Sequence, residues 1–226
     1  MLDLDETLVH TLDSPRLEPE VDPRNKEVLS RMYKLKLPSG VISGFTRPGL
    51  EQFLKFCNSY ADSVVIWTAG TEEYANAIVR HIYRNVDKKP KIVLSRHHCV
   101  MDSSSSVYKK PLASLENMAR EVIGGNILPR TIIIDDRPET SSGYNPSNQM
   151  VIPRFVPSPL DPRAGADDNT LAKIINYLMW PEVRHCRDVT KLSLQQAFDP
   201  HPLVSPILRT SNGLIPTHPQ LRLISS

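Results

Sequence analysis

Nothing in the 226 residues approaches the run of about 18 to 20 apolar residues that a membrane-spanning helix needs, so no span of that kind is expected. A surplus of either charge is also missing. Lys and Arg number 27 against 25 Asp and Glu, a balance of +2, and without a basic excess there is no electrostatic case for direct nucleic-acid binding. Cysteine is scarce: Cys57, Cys99 and Cys186 are odd in number, far apart and without a CxxC pair, which reads as free thiols in a reducing compartment. His97, His98 and Cys99 come nearest to a zinc motif. Three adjacent side chains cannot easily converge on one ion, so a surface or strand-end role is the better reading. Residues 1–10 carry acid rather than the basic n-region of a secretory leader, and no internal repeat is visible. What remains is 40% hydrophobic and 23% charged, the composition of a soluble globular protein. The length suits one α/β domain with a small insert and a tail.

The chain is organised around its first ten residues. In Leu2-Asp3-Leu4-Asp5-Glu6-Thr7-Leu8-Val9-His10 two carboxylates stand two residues apart among apolar neighbours, as at the carboxyl end of a buried strand running into a turn. In an extended strand Asp3 and Asp5 would face opposite ways, so both serve one site only if the backbone turns after Asp3. That geometry suits a nucleophile followed by a general acid, and an aspartate attacking phosphorus splits one hard hydrolysis into two easier steps. Asp residues that merely cap the following turn are the alternative.

Residues 11–27, with three prolines among many charges, read as a loop. Met32–Leu37 and Gly40–Phe45 around Pro38-Ser39-Gly40 read as a hairpin. Thr46-Arg47-Pro48-Gly49 is expected to open a helix with Thr46 as cap and Leu50, Phe53, Leu54 and Cys57 on one face. Asp62–Trp67 is a continuous β-branched run of the sort found in parallel strands buried on both faces, and it ends at Thr68. Glu72–Asn85 reads as a helix, with Tyr74 on its apolar side and His81 as a packed or half-exposed residue. Residues 88–108 break the βα rhythm with short strands at Lys91–Leu94 and His98–Met101 and a serine turn at 103–106, a candidate β insert. A helix over Ser114–Ile123 is expected before Gly124-Gly125. Thr131–Ile134 is a second buried strand running into Asp135-Asp136, and Val151-Ile152 a short last one. A helix capped by Asp167-Asp168-Asn169 carries Leu171, Ile174, Ile175, Leu178 and Met179. From Pro181 the apolar periodicity fades. Residues 1–182 are therefore assigned to the domain and 183–226 to a proline-rich, poorly structured tail with one short helix near Thr190–Ala197.

Ligands of open parallel sheets bind at the carboxyl ends of the strands, where this chain carries Asp3/Asp5, Thr68 and Asp135/Asp136. Two carboxylates with phosphate oxygens and waters make an oxygen-only site of the kind Mg²⁺ prefers. Lys110 lies in the segment before the last of these strands and could neutralise phosphate charge.

The segments DLDETL, WTAG, YKKPL and IIIDDRPE, in that order, resemble the four signatures of the haloacid dehalogenase superfamily, in the form carried by its FCP/SCP protein phosphatases. The resemblance covers about residues 2–180. It implies an α/β fold with a Rossmann-like parallel sheet flanked by helices, a small three-stranded β insert and no large cap domain. It also implies a Mg²⁺-dependent serine/threonine phosphatase acting on a phosphorylated protein or peptide segment, such as the carboxy-terminal domain of RNA polymerase II. On the resemblance, Asp3 is the phosphorylated nucleophile and Asp5 the general acid/base, whose main-chain carbonyl also meets the metal. Thr7 steadies the loop, Thr68 binds the transferring phosphoryl group and Lys110 balances charge. Asp136 is a metal ligand, and Asp135 supports it or orients Lys110. Lys109 is the rival for the lysine role. Arg47 and Arg96 match family positions, with solvated loop charges as the alternative.

Two further expectations follow. The mitochondrial presequence-receptor subunit of the inner-membrane translocase shares the fold and binds peptides without catalysis, but its relatives commonly lose the aspartates kept here, so the enzyme is the favoured reading. Only Met1 and Leu2 precede Asp3, whereas a central strand usually takes about 5 or 6 residues. Upstream sequence is expected on that ground, and the compartment is nuclear or cytoplasmic unless a mitochondrial targeting segment lies there.

Overall fold

The computed structural model describes residues 1–12, 24–115, 127–141, 143–157, 163, 165–198, 208–210 and 213–215. After Asp5 the chain reverses through Glu6, whose φ of 55° is left-handed, an unusual state for a residue with a side chain. It is fixed by bonds from Glu6 N–H to Val9 O (2.8 Å) and from Leu8 N–H to Leu4 O (2.8 Å). The turn delivers Val9–Thr11 (β1). Helix α1, Lys26–Arg31, begins where the Asn25 side chain accepts from Val28 N–H. Met32–Leu37 (β2) and Gly40–Thr46 (β3) form the expected hairpin, and β1 adds to its other side, giving the antiparallel order β1-β3-β2. Helix α2, Leu50–Tyr60, starts after Gly49 at φ 74°. Thr46 is therefore not its cap: it lies in β3, and only Gly49 takes the left-handed backbone at no steric cost.

Val65–Trp67 (β4), helix α3 at Glu72–Ile82 and Ile92–Leu94 (β5) make a right-sized βαβ unit, β4 and β5 pairing in parallel. Thr71 caps α3 through Tyr74 N–H. Val100–Asp102 (β6) and Val107–Lys109 (β7) form an antiparallel hairpin across the serine turn. Ile133–Asp135 (β8) pairs in parallel with Gln149–Val151 (β9). Thr170–Met179 (α4) and Pro181–Arg184 (α5) follow, and Leu208–Thr210 (β10) pairs with Gly213–Ile215 (β11).

Leu2 joins the two parallel pairs. It bridges Ile66 on one side and Ile134 on the other, so Asp3 emerges at the carboxyl ends of β4 and β8. The mixed α/β core packs Leu2, Leu4, Leu8, Phe53, Leu54, Ile66, Ile78, Met150 and Ile174 together, each buried side chain of this size contributing about 1.5–3 kcal/mol. A cavity of about 660 Å³ lies at the opposite, amino ends of the strands, between Val64, Ile132, Leu178 and Val183, away from the carboxylates.

Three expectations change. Lys91–Leu94 does not belong to the insert: its Ile92-Val93-Leu94 run is a strand of the parallel sheet, with Leu94 buried, so the insert is a two-stranded hairpin rather than a three-stranded sheet. The packed region also runs past residue 182. Val183, Leu192 and Leu194 enter the main core although their segment, mostly short 3-10 turns at Val189–Lys191 and Leu194–Phe198, lacks helical periodicity. Finally, the helix expected over Ser114–Ile123 lies mostly outside the described residues, and Leu112–Leu115 is a 3-10 turn.

Candidate active site

Two strand ends and one loop converge on Asp3. Lys110 Nζ lies 2.5 Å from Asp3 Oδ1 and 2.7 Å from Asp135 Oδ2, and all three side chains are buried. Lys110 is fixed from its backbone by a bond to Thr140 O (2.7 Å). The neighbouring Lys109 points elsewhere, to Glu139 O (2.8 Å) and Asp102. Alternation along an extended segment thus sends one lysine into the site and the other to the surface hairpin.

Burial pulls the Lys110 ammonium down, but Asp3 and Asp135 more than reverse that, so it stays charged. Burial pushes the Asp3 carboxyl well up, Lys110 draws it back and Asp135 pushes it up again. Asp136 is pushed up to about 6, by burial first and then by Asp135 and Glu6, with Arg154 opposing. Oxygens of Asp3, Asp135 and Asp136 all lie within 4.8 Å of one another. Three carboxylates and one ammonium leave the cluster short of positive charge, which a buried site must find somewhere.

Asp136 carries the sign of what is needed. Its Oδ2 is buried without a hydrogen-bond partner; Arg154 Nε stands 3.0 Å away as an ion pair, on a side chain 60% exposed. Thr7 supports the other edge of Asp136: its hydroxyl accepts from Asp136 N–H (3.1 Å) and meets Oδ1 at 3.4 Å. An all-oxygen, acidic, partly unpartnered cluster fits a hard divalent cation.

Asp5 stands apart from that cluster. Tyr74 Oη–H donates to its Oδ1 and Thr68 Oγ1–H to its Oδ2 (3.1 Å), Thr68 itself accepting from Gly70 N–H (2.9 Å). Burial raises the Asp5 carboxyl, with the Tyr74 bond opposing, and a raised carboxyl is the direction in which a group becomes able to carry and give up a proton.

Arg47 is wholly buried, so it is not a solvated loop charge. Its guanidinium makes a two-pronged pair with Asp168 (3.0 and 2.8 Å) and donates to Pro153 O (2.7 Å), Thr170 Oγ1 (2.8 Å) and Thr7 O (3.0 Å). It ties the turn after Asp5 to the start of α4. Arg96 is exposed at the mouth, donating to Ala69 O (2.8 Å) and lying over the Tyr108 ring. His98 accepts from Ser95 N–H in a 3-10 turn, and His81 packs on Tyr33.

The model of the family described as NLI interacting factor-like phosphatase matches residues 1–190. The chain belongs to that family. A curated relative, CTD nuclear envelope phosphatase 1B of Danio rerio, is 27% identical over 167 residues, which cover 71% of this chain and 60% of that protein. The chain thus spans less than two thirds of that relative's length. Among solved structures it is similar to fission yeast RNA polymerase II CTD phosphatase Fcp1-R271A bound to beryllium fluoride. There the identity is 27%, over 68% of this chain and 40% of that one, with a TM-score of 0.48. A second structure of Fcp1, described as an essential RNA polymerase II CTD phosphatase, gives 26%, 83%, 56% and 0.49. No helix among the described residues is long and apolar enough to cross a membrane.

Within this phosphatase family member, Tyr74 and Arg154 are the contacts that sequence reading passes over. Tyr74 looks like one more apolar residue on α3, because periodicity reports which face is buried but not where a hydroxyl ends. Arg154 follows β9 by three residues, and its reach to Asp136 depends on a loop with no pattern of its own.

Proposed function

We propose that this chain is a Mg²⁺-dependent phosphoprotein phosphatase that works through an aspartyl-phosphate on Asp3, on a haloacid dehalogenase-like Rossmannoid sheet. The observation that carries the proposal is the placement of Lys110 between Asp3 and Asp135, with Asp136 alongside and a separately held Asp5 two residues on. Lys110 occupies Asp3 Oδ1, and Oδ2 attacks phosphorus. The ester P–O bond breaks, and Asp5 gives its proton to the departing serine or threonine oxygen. Asp5, now a carboxylate, takes a proton from water as that water attacks the phosphoryl group. The Asp3–phosphate bond breaks, orthophosphate leaves, and Asp3 and Asp5 return to their starting states. Thr68 and Lys110 bind the phosphoryl oxygens during transfer.

Asp3, Asp136 and the main-chain carbonyl of Asp5 would hold Mg²⁺, with Asp135 keeping Lys110 in line. When bound, the ion supplies positive charge to the phosphoryl oxygens and to the carboxylates. Among the described residues only the β6–β7 hairpin stands beside the site as an insert, which supports access by a protein segment rather than an enclosed metabolite. The phosphorylated carboxy-terminal domain of RNA polymerase II, or a similar phosphopeptide, is the proposed substrate class, and the nucleus or cytoplasm the proposed compartment. The catalytic unit is proposed to run to Phe198. The family match gives no support to the translocase alternative.

Hydrolysis of para-nitrophenyl phosphate tests the proposal. Turnover should require Mg²⁺, stop with EDTA, and in Asp136→Asn need a higher Mg²⁺ concentration. Equal turnover with and without Mg²⁺ would contradict the metal assignment.

A further inference from the structure

Resting on the function proposed above, one feature of the antiparallel sheet reaches into the chemistry. Thr11 in β1, Gly44 in β3 and Tyr33 in β2 stand directly opposite one another across the three strands. Gly44 is the middle member and has no side chain, so the Tyr33 ring passes over the central strand to the far one. There the Tyr33 hydroxyl meets Thr11 Oγ1 at 2.7 Å. Thr11 Oγ1 meets the Tyr74 hydroxyl at 2.6 Å, and Tyr74 donates to Asp5 Oδ1.

Two glycines make room for this row. A Cβ on Gly44 would run into the His10 carbonyl and come within 2.7 Å of the Tyr33 hydroxyl. A Cβ on Gly70 would come within 2.7 Å of the Tyr74 ring and 3.2 Å of Thr68 Oγ1. Glycine in a strand commonly marks close approach of another group, and here the group is a phenol.

We propose that Thr11 and Tyr33 are positioning residues: with Tyr74 they form a chain of hydroxyls that holds the Asp5 carboxyl in the orientation needed to protonate the leaving oxygen. In the arrangement that satisfies every member, Tyr33 donates to Thr11, Thr11 to Tyr74 and Tyr74 to Asp5, so all three dipoles point at the carboxyl and strengthen one another. The His10 carbonyl, 3.3 Å from the Tyr33 hydroxyl, is the weaker second acceptor. Neither Thr11 nor Tyr33 touches Asp5. If the outer links are lost, Tyr74 keeps its bond but gains freedom to swing, and Asp5 swings with it.

The test is a leaving-group series read as kcat/KM, which reports the steps up to phosphoenzyme formation. Protonation matters for phenyl phosphate and hardly at all for 2,4-dinitrophenyl phosphate. Tyr33→Phe and Thr11→Val should each lower kcat/KM for phenyl phosphate by about tenfold, a fraction of what a positioned general acid supplies, and leave dinitrophenyl phosphate within about twofold. Thr11→Ser, which keeps the hydroxyl, should restore the phenyl phosphate rate. In an Asp5→Asn background Tyr33→Phe should add nothing, because the group being positioned has gone. Equal losses on both substrates, no loss on either, or full additivity with Asp5→Asn would overturn the inference. If Asp5→Asn itself leaves phenyl phosphate turnover unchanged, the proposed function is what fails. Crystal structures then decide the positioning role: a displaced Asp5 carboxylate in Tyr33→Phe sustains it, and an unmoved one overturns it.

Discussion

Lys110 and Lys109 differ by one position and by everything that matters electrostatically. Lys110 is buried between two carboxylates, whereas Lys109 donates to a carbonyl beside the surface hairpin. Lys110→Ala should lower turnover by about 10² to 10³, as expected for losing one preorganised charge contact, and should also destabilise the fold because Asp3 and Asp135 are left facing each other. Lys109→Ala should change either quantity little. Steady-state kinetics and thermal melts of the two variants decide between them, and the reverse pattern would place the wrong lysine at Asp3. At this scale the sequence is most legible for groups that carry charge: strand-end reasoning picks out Asp3, Asp135 and Asp136, the resemblance separates Lys110 from Lys109, and the structure brings these four side chains together. Hydroxyls were less so. Thr68 stood out by following a strand, but its bond to Asp5, and Tyr74 altogether, depend on how α3 leans over the site.

Between elements, the Arg47–Asp168 pair fastens the turn after Asp5 to α4. Asp168 loses some solvation on burial, which alone would raise its carboxyl, but the bonds from Arg47 and Thr170 N–H more than offset this and hold it below the ordinary range. A carboxyl depressed in the folded state contributes stability that is present above its unfolded value, near 4, and is lost as pH falls through the folded value. Asp168→Asn should therefore cost about 2 kcal/mol at neutral pH, within the range for hydrogen bonds to a charged group. The gap in melting temperature between wild type and Asp168→Asn should shrink between pH 5 and pH 3; a gap that stays constant would mean the pair contributes no ionic stabilisation. The hairpin, α2, α3 and α4 were readable from alternation and 3.6-residue periodicity. A three-residue apolar run such as β5 looks the same in the insert and in the parallel sheet, and only its pairing with β4 assigns it to the latter. Helix α1 gives no periodic signal because it has only six residues and begins at the edge of a proline- and charge-rich loop.

Over the whole molecule, the surprise lies after α4. Val183, Leu192 and Leu194 are at most 3% exposed in a segment built from single turns, where burial comes from tertiary contact and no local pattern announces it. A chain ended after residue 182 should be less stable, because it loses the burial of three apolar side chains and leaves the core surface they cover open to water. A denaturant melt beside a chain ended after Phe198 measures this, and equal midpoints would show that the segment only rests on the surface.

In the proposed reaction Asp3 itself carries the phosphoryl group. Acid quenching during turnover of para-nitrophenyl phosphate, followed by peptide mass spectrometry, should find a phosphate on Asp3 that hydroxylamine removes, and Asp3→Asn should neither turn over nor label. Wild-type turnover in Asp3→Asn, or a label on another residue, would contradict it.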